Sequence, residues 1–282
     1  MVKKYQALPA DDQLSRVSRE LRFHPSEPTQ ATTLSRDAVA RFNREGYLAP
    51  LPVFDPAEAN TIRSAFDDIL ERELANGGNA YSISTAHRHH GVVWDLLREP
   101  RILRYVTDLL GKDVVGWGSH FFCKLPGDEK IAAWHQDASY WPLTPSKTVT
   151  VWLAIDDADR DNACMQFIPQ SHTQGHIEFR ESGSEENNVL NQTVDDVERF
   201  GEAIHVELAA GEISIHSDLL LHGSPANTSR RRRCGLTLRY CAADVKAHLD
   251  WNDKGVIVSG TDLSGHWSNH GRPGEVSGPS RN

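Results

Sequence analysis

Cysteine is scarce in this 282-residue sequence: there are four, at positions 123, 164, 234 and 241, and no two share a CxxC spacing. That argues against a disulfide framework or a thiolate zinc site, and each cysteine lies in or beside an apolar run. Buried free thiols in a reducing, intracellular setting are expected. No stretch approaches the roughly 18 apolar residues of a membrane span. The opening Met1-Val2-Lys3-Lys4-Tyr5 is positively charged, but no apolar run follows it as in a secretory signal, so a soluble, cytoplasmic protein is expected. Positive charge is also short, with 30 Lys and Arg against 39 Asp and Glu and a net charge of −9. Nucleic-acid binding needs concentrated positive charge on one face, so that partner class is not expected, and the acid excess serves solubility. Internal repeats and coiled-coil heptads are missing too, and no oligomeric state is predicted.

What is present reads as one large domain. Ser35 as N-cap, followed by spaced apolar residues, predicts a short helix ending near Gly46. Asp55-Pro56 puts proline at a first helical position, and Ala59, Ile62, Ala65, Phe66, Ile69 and Leu70 give a helical period. Another helix is predicted over 102–110, stopped by Gly111. Beyond it the chain turns to short β runs broken by Gly, Pro, Asp and Asn. Helices first and strands later predict an α+β fold. The apolar, β-branched run 148–155 reads as a buried strand, and 211–216 and 234–240 as two more. Three segments stand apart. Residues 1–34, polar and rich in Pro, Ser and Thr, are expected to form an N-terminal arm over the domain or to be mobile. Residues 180–200 form a polar insertion, read as a lid or a surface loop. Residues 246–282 are rich in Gly, Ser and Pro yet carry Trp251 and Trp267, which predicts an extension packed on the same domain or on a second subunit.

Chemistry concentrates in Trp134-His135-Gln136-Asp137, in Leu221-His222-Gly223-Ser224 and at Arg233. On an extended strand, residues i and i+2 project to one face, so His135 and Asp137 reach one metal ion together. A third ligand from a distant strand completes a facial triad. Two imidazoles and a carboxylate on one side of a metal leave the other side open, the arrangement of non-haem Fe(II) enzymes that activate oxygen. One His-x-Asp pair among fourteen histidines is weak evidence, but the surrounding strand patterns supply the scaffold such a site needs.

These segments, with residues 42–48, 116–127 and 164–172, resemble the phytanoyl-CoA dioxygenase family of Fe(II)- and 2-oxoglutarate-dependent oxygenases, in the family's order from about Phe42 to about Tyr240. The resemblance implies a double-stranded β-helix, the jelly-roll or cupin-like core, with flanking helices, and makes 35–245 the dioxygenase domain. It implies His135, Asp137 and His222 as iron ligands. Arg233 becomes the partner of the distal 2-oxoglutarate carboxylate, since a planar guanidinium donates two parallel hydrogen bonds and keeps its charge. Ser224 adds a hydroxyl donor to that carboxylate. Trp152 is either the family's aromatic residue beside the co-substrate or an ordinary core tryptophan. Fe(II), 2-oxoglutarate and O2 are the implied cofactor and co-substrates, with succinate and CO2 released as a substrate C–H bond is hydroxylated. The intact Asp137 favours hydroxylation over halogenation, because related halogenases have a small residue there. A zinc hydrolase accepts the same ligand types, but leaves Arg233 and Ser224 without purpose.

Other candidates are weaker. His216 lies within its strand, and its spacing to Arg233 does not fit the family. His172 closes a turn and is assigned no metal role, and of Arg230 to Arg233 only the last is expected to act. Tyr140 and Trp141, just past the Asp, are expected to face substrate or to be core. His87 and His89, with His90, are read as a substrate-entry loop or a plain surface loop, a second metal site being conceivable. The expected substrate is a small polar metabolite, such as an aminophosphonate like 2-aminoethylphosphonate or an amino acid derivative. An acyl-CoA, and a catalytically silent jelly-roll binding protein, are the alternatives.

Overall fold

The computed structural model describes residue 9 and residues 11–274, so the opening five residues and the ends of the expected arm and tail lie outside the described residues. Five α-helices are described: α1 (Asp11–Leu14), α2 (Arg36–Glu45), α3 (Pro56–Ala75), α4 (Gly91–Leu97) and α5 (Pro100–Leu110). None is long and apolar enough to cross a membrane. Local signals set their ends. Ser35 Oγ accepts from the Ala38 N–H at 3.0 Å, and Gly46, at φ 84°, stops α2. No other residue suits position 46, because the backbone is left-handed and a Cβ would lie 2.5 Å from His172 Nδ1. Asp55 and Glu58 close a capping box around Pro56, which starts α3 as expected.

Fourteen strands are described: β1 (Tyr47–Pro52), β2 (Val114–Lys124), β3 (Ala132–His135), β4 (Leu143–Thr144), β5 (Thr148–Ala154), β6 (Met165–Phe167), β7 (Arg180–Glu181), β8 (Gln192–Thr193), β9 (Ile204–Val206), β10 (Glu212–Ser217), β11 (His222–Ser224), β12 (Arg233–Ala242), β13 (Lys246–Ala247) and β14 (Val256–Ser259). A six-stranded sheet runs β1-β10-β5-β12-β2-β14, and a four-stranded sheet runs β3-β11-β6-β9. Their pairings are antiparallel. Helices on antiparallel sheets give the mixed α+β class that the sequence predicts.

Two-residue alternation gives the large sheet two different faces. On β5, Val149, Val151 and Leu153 pack with Phe42, Phe66, Ile69 and Leu97 of the helices, while Thr150 and Trp152 line a cavity on the other side. Strand β12 repeats the division: Leu236, Leu238 and Tyr240 join the helical core, and Arg233, Thr237 and Arg239 line the cavity. Each large apolar side chain so buried contributes roughly 1.5–3 kcal/mol, so the helix-facing half of each strand fixes the position of its polar half. Across the cavity, Trp152 and Ala154 meet Met165, Phe167 and Val206 of the small sheet.

One expectation needs correction. The strand through the His-x-Asp pair ends at His135, and Asp137 opens a 3-10 turn, Asp137–Tyr140. The two side chains still converge because Gln136 keeps extended dihedrals, φ −109° and ψ 131°. Its buried amide is pinned: Nε2 donates to the carbonyls of Gly175 and Leu219, and Oε1 accepts from the Ile177 N–H.

The insertion and the tail both become walls. Val189 donates to the Ile131 carbonyl at 2.9 Å and Val194 to that of Trp134 at 2.8 Å, which docks the insertion along β3. The tail supplies β14 at the edge of the large sheet and buries Trp251 and Trp267. Part of the expected arm is tied down as well. Arg19 donates to the carbonyls of Ala138 and Trp141, and the Asp108 carboxylate accepts the backbone N–H groups of Thr32, Thr33 and Leu34. The four cysteines are free and buried, as expected.

Candidate active site

His135, Asp137 and His222 each offer a ligand atom, and these atoms lie within 4.8 Å of one another. The pairing of β3 with β11 sets His222 opposite His135, with ring centroids 4.1 Å apart. Each imidazole is oriented by a main-chain oxygen: His135 Nδ1 lies 2.7 Å from the Ala133 carbonyl and His222 Nδ1 2.9 Å from that of Leu220. A carbonyl only accepts, so Nδ1 carries the proton and Nε2 keeps its lone pair for a metal. Thr150 donates to Asp137 Oδ2 at 2.7 Å, leaving the other oxygen for coordination. Burial, then neighbouring imidazoles, hold His222 far below the ordinary histidine range; burial lowers His135 too. Burial acts to raise Asp137, but His216, Arg239 and His222 outweigh it and keep the carboxylate ionised. Neutral imidazoles beside a charged carboxylate are the protonation states that coordinate a divalent cation.

His216 belongs to this cluster without joining the triad. Its Nε2 is 3.6 Å from Asp137 Oδ2, and its ring stands 4.6 Å from that of His222.

The same cavity holds Arg233, Ser224 and Trp152. Arg233 is 1% exposed; its Nε donates to the Ala163 carbonyl at 2.9 Å, and Nη2 has no hydrogen-bond partner among the described residues. A buried, charged donor left without an acceptor is costly, and a carboxylate in the cavity would satisfy it. The guanidinium lies 5.6 Å from the Trp152 ring. That ring fits because position 235 is glycine: a Cβ there would come within 1.9 Å of Trp152 Cζ2. Opposite Arg233 in the β12–β2 register stands Lys124, which sequence reasoning missed. Lys124 Nζ donates to the carbonyls of Lys130 and Pro225, and burial pushes it down to about 7. A lone lysine ending an apolar stretch was the available signal.

Tyr140 and Trp141 are buried and line the cavity. His87 and His89, read from sequence as part of a substrate-entry or plain surface loop, do not line it. His87 is fully buried, with Nδ1 2.8 Å from Ser119 Oγ and Nε2 3.0 Å from the Lys254 carbonyl; His89 is exposed outside the cavity. His87 ties the tail to β2 instead of meeting a ligand. His172 packs against Phe23 and reaches the Asn43 carbonyl, away from the metal ligands. Arg231 and Arg232 pair outward with Asp159, Asp156 and Asp67, so only Arg233 of that run turns inward. Trp117, Arg239, Trp251 and Lys254 complete the far end of the cavity; Trp251 was read from sequence only as a packing residue of the tail, and the other three were given no role there.

A facial pair of histidines and a carboxylate, open to a cavity that ends in an unpaired buried arginine, is the site of the non-haem iron, 2-oxoglutarate-dependent class. The chain belongs to the phytanoyl-CoA dioxygenase family, whose model matches residues 42–235. It is 26% identical to the peroxisomal phytanoyl-CoA dioxygenase of Bos taurus over 155 residues, covering 53% of this chain and 45% of the bovine protein. A probable phytanoyl-CoA dioxygenase of Caenorhabditis elegans is 23% identical over 249 residues, 78% of this chain and 80% of the nematode protein. The chain spans about half the length of the mammalian relatives it matches, 44–47% of each. Among solved structures, the apo form of the non-haem monooxygenase ThoJ aligns with a TM-score of 0.70 at 26% identity, covering 83% of this chain and 87% of that one.

Proposed function

We propose that the protein is an Fe(II)- and 2-oxoglutarate-dependent oxygenase that hydroxylates an unactivated C–H bond of a small metabolite. The two sheets are read as the family's double-stranded β-helix, and 35–245 as its catalytic domain. One observation carries the functional reading: a buried guanidinium with an unsatisfied donor shares a cavity with three mutually oriented metal-ligand side chains.

In this reading His135 Nε2, His222 Nε2 and one Asp137 oxygen hold the iron. When bound, the iron supplies the redox chemistry by which O2 is split between 2-oxoglutarate, released as succinate and CO2, and the substrate, released as an alcohol. The chain's own part is positional. Arg233 and Ser224 hold the distal 2-oxoglutarate carboxylate, and Trp152 fixes the plane in which the guanidinium lies. Thr150 and the carbonyls of Ala133 and Leu220 hold the ligands' orientation. Tyr140, Trp141 and the docked insertion shield the reacting C–H bond from water, and an error of about 1 Å in its position costs about a hundredfold in rate. No protein acid, base or nucleophile is required.

A small metabolite is preferred to an acyl-CoA because bulky rings, Trp117 packed between Trp141 and Trp251, occupy the cavity lining at the end away from Arg233. The test is succinate formation from 2-oxoglutarate by iron-loaded protein on admitting oxygen, screened against pooled metabolites and acyl-CoAs. Stimulation by one metabolite pool, reduced at least a thousandfold by Asp137→Ala, is expected. Bound metal with no 2-oxoglutarate binding or turnover would instead favour a silent binding protein.

A further inference from the structure

The end of the cavity away from Arg233 carries two cations, with Asp137 as the one acid of the lining among the described residues. Arg239 and Lys254 both line the cavity, and no salt bridge is found for either among the described residues. They are held by aromatic faces instead. The Arg239 guanidinium lies 5.1 Å from the Trp141 ring, and Lys254 Nζ lies 3.3 Å from that of Trp251. Trp117 bridges the two tryptophans, with ring centroids at 4.6 and 5.7 Å. A π face positions a cation while occupying none of its N–H donors, so both heads stay available to an acceptor. Arg239 Nε is buried and has no hydrogen-bond partner among the described residues. Its stem can lie flat along β12 because position 118, its register partner, is glycine; a Cβ there would sit 3.1 Å from Arg239 Cδ.

Charge arithmetic points the same way. Asp137 is the one acid lining the cavity among the described residues, against Arg233, Arg239, Lys254 and Lys124. A divalent metal and dianionic 2-oxoglutarate cancel each other. With Lys124 counted as neutral, two positive charges remain uncompensated in a largely apolar enclosure, where an unpaired charge is expensive. Burial, and after it the nearby Arg239 guanidinium, pushes Lys254 down to about 8. A third acid would have been the ordinary solution. The chain offers none, and an amine would find no counter-charge there other than Asp137.

We propose that Arg239 and Lys254, set on Trp141 and Trp251, form an anion subsite that holds the primary substrate, a small organic carboxylate or phosphonate with an apolar body. The inference rests on the oxygenase reading for the roles of Arg233 and the metal ligands. Trp117, Trp141, Val189 and Leu190 would cover the apolar body. Both cations lie past residue 235, where the family match ends, so the subsite belongs to the distal part of this chain. The tail turn that carries Lys254 is fastened by His87 to its carbonyl and by the Arg88–Asp253 ion pair.

The test uses metal-loaded full-length protein saturated with 2-oxoglutarate under argon, which keeps Arg233 occupied. It is titrated with phenylacetate, benzylphosphonate and neutral phenylacetamide, following tryptophan fluorescence. At least one anion is expected to bind ten times or more as tightly as the amide, and the better anion names the headgroup. Lys254→Met is expected to remove most of that advantage while leaving amide and 2-oxoglutarate binding in place, and Arg239→Gln to remove most of it as well. Lys254→Met keeps the stem over Trp251 on a half-buried turn, so it serves if Arg239→Gln does not fold. Equal binding of acid and amide, no binding of either anion, or equal weakening of acid and amide in Lys254→Met would each overturn the subsite. Failure of the unaltered protein to bind 2-oxoglutarate would overturn the oxygenase reading instead, so the two failures are distinguishable.

Discussion

The two ends of the cavity both present cations, but they are built differently. At one end Arg233 and Lys124 project from adjacent strands, are 1% and 2% exposed, and are held by main-chain carbonyls. At the other, Arg239 and Lys254 are half-buried, rest on tryptophan rings, and depend on a tail segment for half of the pair. A carbonyl fixes a donor in one direction and suits one invariant ligand. A ring face tolerates sliding and suits a ligand that varies between relatives. In the proposed reading the first end takes the common co-substrate and the second the particular substrate.

The sharpest way to break this comparison is at Arg233. Arg233→Met removes two charge-assisted hydrogen bonds of roughly 1.5–3 kcal/mol each, so 2-oxoglutarate affinity should fall by about a hundredfold or more. Arg233→Lys should recover part of it, since an ammonium supplies charge without the planar fork. Anaerobic titration of metal-loaded protein measures both. Phenylacetate binding at the far end should not move; a parallel loss there would mean that the two ends are one site.

A second, smaller effect acts on the tail end alone. Burial is the main reason that His87 is held down to about 4, so it is neutral in the folded protein at pH 7. In the unfolded chain it takes up a proton near pH 6.5. The neutral ring therefore contributes stability that is present above about pH 6.5 and lost as pH falls towards 4, roughly 3 kcal/mol when complete. Hydrogen exchange across residues 251–257, corrected for intrinsic pH effects, should accelerate as pH drops from 7 to 5. The acceleration should be blunted in His87→Gln, whose amide can donate to the Lys254 carbonyl without taking up a proton. No pH dependence in the unaltered chain would remove His87 as the fastener.

These contrasts explain what the sequence revealed and what it hid. Helix ends were legible because their causes are local: Ser35 and Gly46 for one, Asp55-Pro56-x-Glu58 for another. The strands carrying Arg233 and Trp152 were legible by alternation. Arg239 could have been read from the same strand, six residues past Arg233 and of equal parity. Lys254 and Trp251 could not, because their nearness to Trp117 depends on pairing over more than a hundred residues, which no local pattern encodes. His87 misled for the opposite reason. A histidine-rich loop suggests ligand binding, but burial turns the ring towards Ser119 and a main-chain carbonyl.

The smallest expected effect tests whether the tail fastening is shared. Asp253 pairs with Arg88 at 2.9 Å and with His270 at 2.7 Å on an exposed face, where salt and side-chain entropy erode ion pairs. Asp253→Asn should therefore lower the melting temperature by only about 2 °C or less and weaken anion binding by less than about threefold, with 2-oxoglutarate binding unmoved. A tenfold loss of phenylacetate affinity would show that the surface pair, rather than the buried His87 contact, sets the position of Lys254. The stability of the tail end would then vary with salt as well as with acid, and raising the salt concentration in the unaltered protein would reproduce the variant's loss.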